Sequence, residues 1–360
     1  MNYEYEYWLQ RITPLSGRKK VRLHRHCASG EAIYYIEEAQ LQKLTFLTEQ
    51  DIQSILKAQK EKDIAYQYQE LEKKNIRFVP WNSPQYPGKL AVISDPPYAL
   101  YVKGQLPDAH RYAAAIVGAR RCTPYGESNA LDYGKNLAAA GIQIISGLAY
   151  GIDGSGHRGA LLGKGTTFAV LGCGVDICYP RENIGLYADI LNQGGVLSEY
   201  PPGVPPLAAH FPQRNRIISA LADITLVIEA KYQSGSLITA DMALEQGKDV
   251  FALPGPVNSS FSQGCNQLIK QGAGVLLSPE LLLEELNFEI KKFYKKSNKN
   301  KKMLESPENM VYSRLCLNPK SIHDLVAETS LPANKVVEYL VSLELQGYIR
   351  EISKNHYVTI

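Results

Sequence analysis

The chain reads as a doubly wound α/β protein, with a mostly parallel sheet, a small helical domain before it and a winged helix after it. Three observations carry this. From Ala113 onward, short apolar runs recur as AAAIVGA, IQIISG, TTFAVLGCG, VLSEY, ITLVIEA, DVFALPG and a weaker GVLLS, separated by helix-length segments. Strands buried on both faces of a parallel sheet require that pattern. Upstream, stretches such as EAIYYIEEAQLQKLTFLTEQDIQSILKAQ place apolar residues at helical spacing. Downstream, ENMVYSRLCL, SIHDLVAETS, PANKVVEYLVSLELQG and YIREISKNHYVTI read helix, helix, helix and hairpin, the order of a winged helix.

These segments set four expected domains: a helical, SAM-like part over 1–75, the α/β domain over 76–288, a linker over 289–305 and the winged helix over 306–360. The passage FVPWNSPQYPGKLAVISDPPYALYVKG contains Pro80, Pro84, Pro87, Pro96 and Pro97, which forbid long helices and predict a strapped connection. KKFYKKSNKNKK has seven lysines between Lys291 and Lys302, which predicts a solvated linker. The expected recognition helix offers Lys335 early but also Glu338 and Glu344, poor equipment for reading a groove. A docking or dimer-contacting module fits it at least as well.

Composition narrows the function less. The chain has 360 residues, 45% hydrophobic and 21% charged, with a net charge of only +3, so nucleic-acid affinity requires a local basic patch. The start, MNYEYEYWLQ, has no basic leader, and no apolar run reaches membrane-spanning length, which predicts a cytoplasmic protein with no membrane partner. Six scattered cysteines (Cys27, Cys122, Cys173, Cys178, Cys265, Cys316) lack a CxxC and read as free thiols.

Cofactor motifs fail. GCGVDI has Ile177 where a dinucleotide fingerprint needs its third glycine, and RGALLGKG has Arg158 and Gly165 where a P-loop needs Gly and Ser or Thr. The reading is therefore no cofactor, no metal and no catalytic residue. Ser146 lacks the GxSxG elbow. His157 reads as a core or capping histidine and Asp153 as the cap of its helix. Glu199 and Glu229 end strands, where each is expected to pair with an arginine or accept from helix amides.

In doubly wound sheets ligands bind at the carboxyl ends of the strands. Here those ends carry Arg120 and Arg121 after the first run and Arg181 after the third. HFPQRNRIIS opens the helix after VLSEY with Phe211, Arg214, Asn215 and Arg216, and Lys231 precedes Ser234, Gly235 and Ser236 at another helix start. Arginines, a stacking aromatic and unpaired helix amides at one rim suit a polyanion such as single-stranded nucleic acid. Because Arg214 and Arg216 are two apart, one is expected to face phosphate and the other a protein carboxylate, Glu199 or Glu229.

The segments IVGARRCTPYG, IISGLAYGIDGSGHRGAL, VLSEYPPGVPP, FPQRNRIISALADITLVIEA, SGSLITADMALEQGKDVFALPG and GCNQLIKQGA together closely resemble the bacterial DNA-processing protein A (DprA, or Smf) family, from about Val79 to Leu286. The resemblance implies an extended Rossmann-like fold without a dinucleotide and a homodimer. It further implies binding of single-stranded DNA and loading of the RecA recombinase during natural transformation. It assigns the DNA contacts to Arg120, Arg121, Arg181, Phe211, Arg214, Asn215, Arg216 and the Ser234–Ser236 turn. The alternative is a nucleotide phosphoribohydrolase-like enzyme, but SGSLITADMALE lacks the PGGxGTxxE signature expected there.

Overall fold

The computed structural model describes residues 3–288, 306–315 and 319–359. The chain forms two compact units, Met1–Ile290 and Lys291–Ile360. The Lys-rich linker and Cys316 lie outside the described residues.

A nine-stranded sheet organises the first unit. Its strands are β1 (Arg77–Pro80), β2 (Ala99–Gly104), β3 (Ala113–Val117), β4 (Gln143–Ser146), β5 (Thr167–Val170), β6 (Gly195–Ser198), β7 (Ile224–Val227), β8 (Asp249–Ala252) and β9 (Gly274–Val275), in the order β1-β2-β6-β5-β4-β3-β7-β8-β9. The seven strands from β3 onward pair in parallel. Every residue of β3 to β7 is buried, which is why those runs show no polar alternation.

The Pro-rich passage is more than a strap. It supplies β1 and β2, with β2 pairing antiparallel to β6 and β1 antiparallel to β2. Proline hid them: Pro80 ends an edge strand, where a missing N–H costs no ladder bond.

Six helices precede the sheet: α1 (Glu4–Arg11), α2 (Gly17–Cys27), α3 (Gly30–Tyr34), α4 (Glu38–Leu41), α5 (Glu49–Ala58) and α6 (Ile64–Lys73). Capping residues fix two starts, with Ser16 accepting from Lys19 N and Thr48 forming a capping box with Asp51. Their core of Trp8, Leu9, Leu23, Ile33 and Ile55 is continuous with Tyr98 and Tyr101 beside and within β2, so helices and sheet share one interior. A polar knot pins the join. The Glu6 carboxylate accepts from Gly30 N (3.0 Å) and the Tyr98 hydroxyl, and lies 3.0 Å from His24 Nε2. Burial disfavours its charge, but these hydrogen bonds hold the carboxyl below its ordinary pKa.

The remaining helices of this unit are α7 (Gly88–Ala91), α8 (Pro124–Ala139), α9 (Ile152–Leu162), α10 (Ile184–Gln193), α11 (His210–Leu221), α12 (Gly235–Glu245), α13 (Gln263–Lys270) and α14 (Pro279–Glu285). Residues of α8, α9 and α14 share a core with one group of sheet residues. Those of α7, α11, α12 and α13 share another. Helices α8 and α9 touch closely because Gly159 faces Leu131 O, where an added Cβ would sit 2.2 Å away.

The second unit contains α15 (Ser306–Arg314), β10 (Lys320–Ser321), α16 (Ile322–Thr329), α17 (Ala333–Leu345), β11 (Ile349–Ser353) and β12 (His356–Thr359) around Val311, Leu325, Val336, Leu340 and Leu343. This is the winged-helix order. Lys335, near the start of α17, is already paired with Glu338 at 2.7 Å.

Candidate nucleic-acid interface

The chain winds from β3 through β6 in one direction and from β7 through β9 in the other, so the order reverses between β3 and β7. A crevice belongs at such a reversal. A cavity of about 570 Å³ opens there, lined by Gly118 and Arg120 after β3, Ala149 and Asp153 around the start of α9, Tyr179, Phe211, Arg214 and Asn215 of α11, and Ser234–Ser236 at the start of α12.

The mouth is aromatic and cationic. Phe211 lies against Gly172, where a Cβ would approach its ring to 3.0 Å, so glycine is what lets the ring settle. Tyr179 stacks with Phe211 at 5.7 Å between centroids and 29° between planes. The Arg120 guanidinium lies 5.1 Å from the same ring centre. The neighbouring His210 ring stacks on Tyr200 at 4.0 Å, and its Nδ1 lies 3.1 Å from Gly172 O, anchoring the first turn of α11.

The floor is a buried cation. Arg214 is 4% exposed and donates to Gly147 O (2.9 Å) and Val170 O, the carbonyls at the ends of β4 and β5. Its Nε donates to Asn215 Oδ1 at 3.2 Å. Burial lowers its pKa to about 10, with Asp153 opposing. Asp153 is buried too, and burial raises its pKa although Arg214 favours the charge. Asp153 is not the helix cap, a role Gly151 takes at φ 68°; it sits in the first turn and accepts from Gly147 N at 3.1 Å, closing the loop after β4.

Arg216 also turns into the protein. Both its terminal nitrogens donate to Glu199, at 2.7 Å each, and further bonds reach Gln213 O (2.8 Å) and Asp95 O (2.9 Å). Four of its five N–H groups are engaged, so a phosphate could grip Arg216 bidentately only by displacing Glu199. Burial opposes the charge, but Glu199 more than restores it and raises the pKa. Of the two arginines, Arg216 is the one that meets a protein carboxylate, Glu199, while Arg214 lines the cavity and is held there by backbone carbonyls. Spacing on one helix does not reveal that the inner wall of the cavity would use the carbonyls of β4 and β5 to hold Arg214.

The other predicted residues divide. Arg120, Phe211, Asn215, Ser234, Gly235 and Ser236 meet Arg214 in the cavity wall. Ser234 caps α12 by accepting from Ser236 N at 3.5 Å, and the two hydroxyls lie 2.8 Å apart. Arg121, Arg181 and Lys231 are exposed outside the lining, with the Lys231 ammonium 4.7 Å from the Phe261 ring centre. Tyr179 was missed by the sequence reading, although an aromatic two residues before Arg181 was signal enough.

The polar residues with catalytic chemistry are tied down. Ser146 donates to Ile116 O at 2.6 Å. His157 is fully buried, with Nδ1 2.6 Å from Thr167 Oγ1, and burial pushes its pKa down to about 3. Glu229 accepts from Thr123 N (2.9 Å) and Thr123 Oγ1 (2.5 Å) at the start of α8. Among the described residues no group of three or more His, Cys, Asp or Glu is placed to hold a metal, and no helix is long and apolar enough to cross a membrane.

Residues 77–287 match the family described as DNA recombination-mediator protein A, and residues 295–353 match the DprA winged helix domain. The chain belongs to the DNA recombination-mediator protein A family. It is 40% identical to Protein Smf of Escherichia coli, over 96% of this chain and 94% of that protein. It is 44% identical to DNA processing protein DprA of Streptococcus pneumoniae, over 56% of this chain and 72% of that one. The X-ray structure of S. pneumoniae DprA matches with a TM-score of 0.69 at 33% identity, covering 78% of this chain and 97% of its own. The DNA processing protein A of Helicobacter pylori, whose structure is described for its single-stranded DNA binding mode, matches with a TM-score of 0.53 at 30% identity, over 59% of this chain and 95% of its own.

Proposed function

We propose that this protein binds single-stranded DNA at the β3/β7 crevice with little sequence preference and, as a cytoplasmic homodimer, delivers the strand to the RecA recombinase in natural transformation. The observation that carries the binding step is the Tyr179–Phe211–Arg120 stack over a cavity floored by Arg214. Aromatic faces accept any base, and cations together with the amides of α12 accept the backbone, which is the chemistry of sequence-tolerant strand binding. Family membership and the H. pylori relative support the same reading.

Roles follow from position. Phe211 and Tyr179 stack bases; Arg120, with the exposed Arg121, Arg181 and Lys231, meets phosphates; Asn215 and Ser234–Ser236 contribute polar donors. Arg214 sets the charge of the floor, and Arg216 fastens α11. The site acts by holding its ligand and not by catalysis, which the engaged Ser146, His157 and Glu229 favour. The test is fluorescence anisotropy of labelled oligothymidylate against duplex at several salt concentrations. Preferred single-strand binding is expected, with log affinity falling by about 0.7 per phosphate contacted for each log unit of salt. Equal affinity for duplex, or a flat salt response, refutes it.

A further inference from the structure

We propose that the basic face of α2 is a second contact for single-stranded DNA, outside the cavity; the inference rests on the DNA-binding reading above. Helix α2, GRKKVRLHRHC, has no acidic residue, whereas the nearby α5 and α6 carry both signs, as solvated helix faces do. Lys20 and His24 point inward and Lys19 pairs with Asp51, so three of its basic residues are already used. Arg18, Arg22 and Arg25 are exposed. Their spacing of four and three puts them on one face, and none enters an ion pair among the described residues.

Two of these arginines are pre-positioned on aromatic rings. The Arg22 guanidinium lies 4.3 Å from the Phe46 ring centre and that of Arg25 lies 5.2 Å from Trp81. Resting a guanidinium on a ring fixes its position while its N–H edges stay open to phosphate. Arginines interleaved with aromatics are the surface a flexible polyanion recognises.

The face is also tied to the cavity. Gly17, the first residue of α2, packs so tightly on Pro96 that a Cβ would sit 2.3 Å from its carbonyl oxygen. The adjacent Asp95 is held by Arg216 of α11, the helix that carries Phe211 and Arg214 to the cavity. A strand longer than the cavity can hold thus has a second set of cations within the same compact unit.

The test compares the full chain with its R18A/R22A/R25A variant on oligothymidylates of about 6 and about 20 nucleotides, spanning the usual range of site sizes. The variant is expected to bind the short oligonucleotide like the parent. On the long one it should bind more weakly, with a salt slope shallower by about 2, or 0.7 for each of three phosphates. The R18K/R22K/R25K variant should keep most of the parent slope, and unchanged melting temperatures would show that both variants fold. Equal affinity and slope for parent and alanine variant on the long oligonucleotide would overturn the proposal, including where the variant loses binding to a polyglutamate peptide instead, which would assign the face to an acidic protein. Failure of the parent to bind either oligonucleotide would refute the proposed function itself, a separate outcome.

Discussion

Replacing Arg216 by alanine should cost stability and spare the electrostatics of DNA binding. The Arg216 and Glu199 side chains are 13% and 15% exposed and joined by two 2.7 Å hydrogen bonds. Removing one partner of a buried pair leaves the other charge uncompensated, typically at about 3–5 kcal/mol. Residual exposure places this pair at the lower end, about 3 kcal/mol. The second carboxylate, Asp95, is 51% exposed at the side chain and adds about 1 kcal/mol at most. With an unfolding entropy of about 2.1 cal/mol/K per residue over a unit of 290 residues, each kcal/mol is worth about 1.6 °C, so the melting temperature should fall by roughly 5–7 °C. Differential scanning calorimetry measures this, and anisotropy below the new transition should return the parent salt slope. The double variant R216M/E199L, which removes both charges, should recover most of the loss. An Arg216→Ala protein that melts like the parent but binds DNA with a shallower salt slope would refute the reasoning, because the guanidinium would then be gripping phosphate and not α11.

Three further outcomes follow from the same geometry. Phe211→Ala should weaken oligonucleotide binding by about 1–3 kcal/mol, the worth of one stacked base, with an unchanged salt slope in anisotropy titrations. Gly172→Ala should press a methyl group against the Phe211 ring, 3.0 Å away, and displace it; single-strand affinity measured by anisotropy should fall several-fold, an effect of about 1 kcal/mol. Lys20 is buried and its pKa is pushed down by burial from 10.5 to about 7, with Glu199 opposing. Between those values the unfolded chain holds a proton that the folded chain has released, so this group makes stability rise with pH across that window, and its burial penalty is present in full below about pH 7. Urea unfolding of parent and Lys20→Met from pH 7 to pH 10 should therefore show a rise in the parent that the variant lacks.

The sequence by itself determined the seven parallel strands, the winged-helix order and the rim on which the candidate site lies. A strand covered on both faces must be apolar throughout, and loops at strand ends must use turn and capping residues, so both features are written locally. That an arginine would meet Glu199 or Glu229 was legible for the same reason, since both follow buried strands; only the structure singles out Glu199. Only the tertiary structure decided how the opening residues of α11 are used. A helix places residues two apart about 200° from each other, which predicts opposite environments, but not which groups each one meets. Arg214 bonds a carbonyl 67 residues away and Arg216 one 121 residues away. The strands inside the Pro-rich passage, the interior shared by helices and sheet, and the pairing of Tyr179 with Phe211 escaped the sequence for one physical reason. Each is a packing contact between segments distant along the chain, and no local periodicity records which distant surface a side chain will meet.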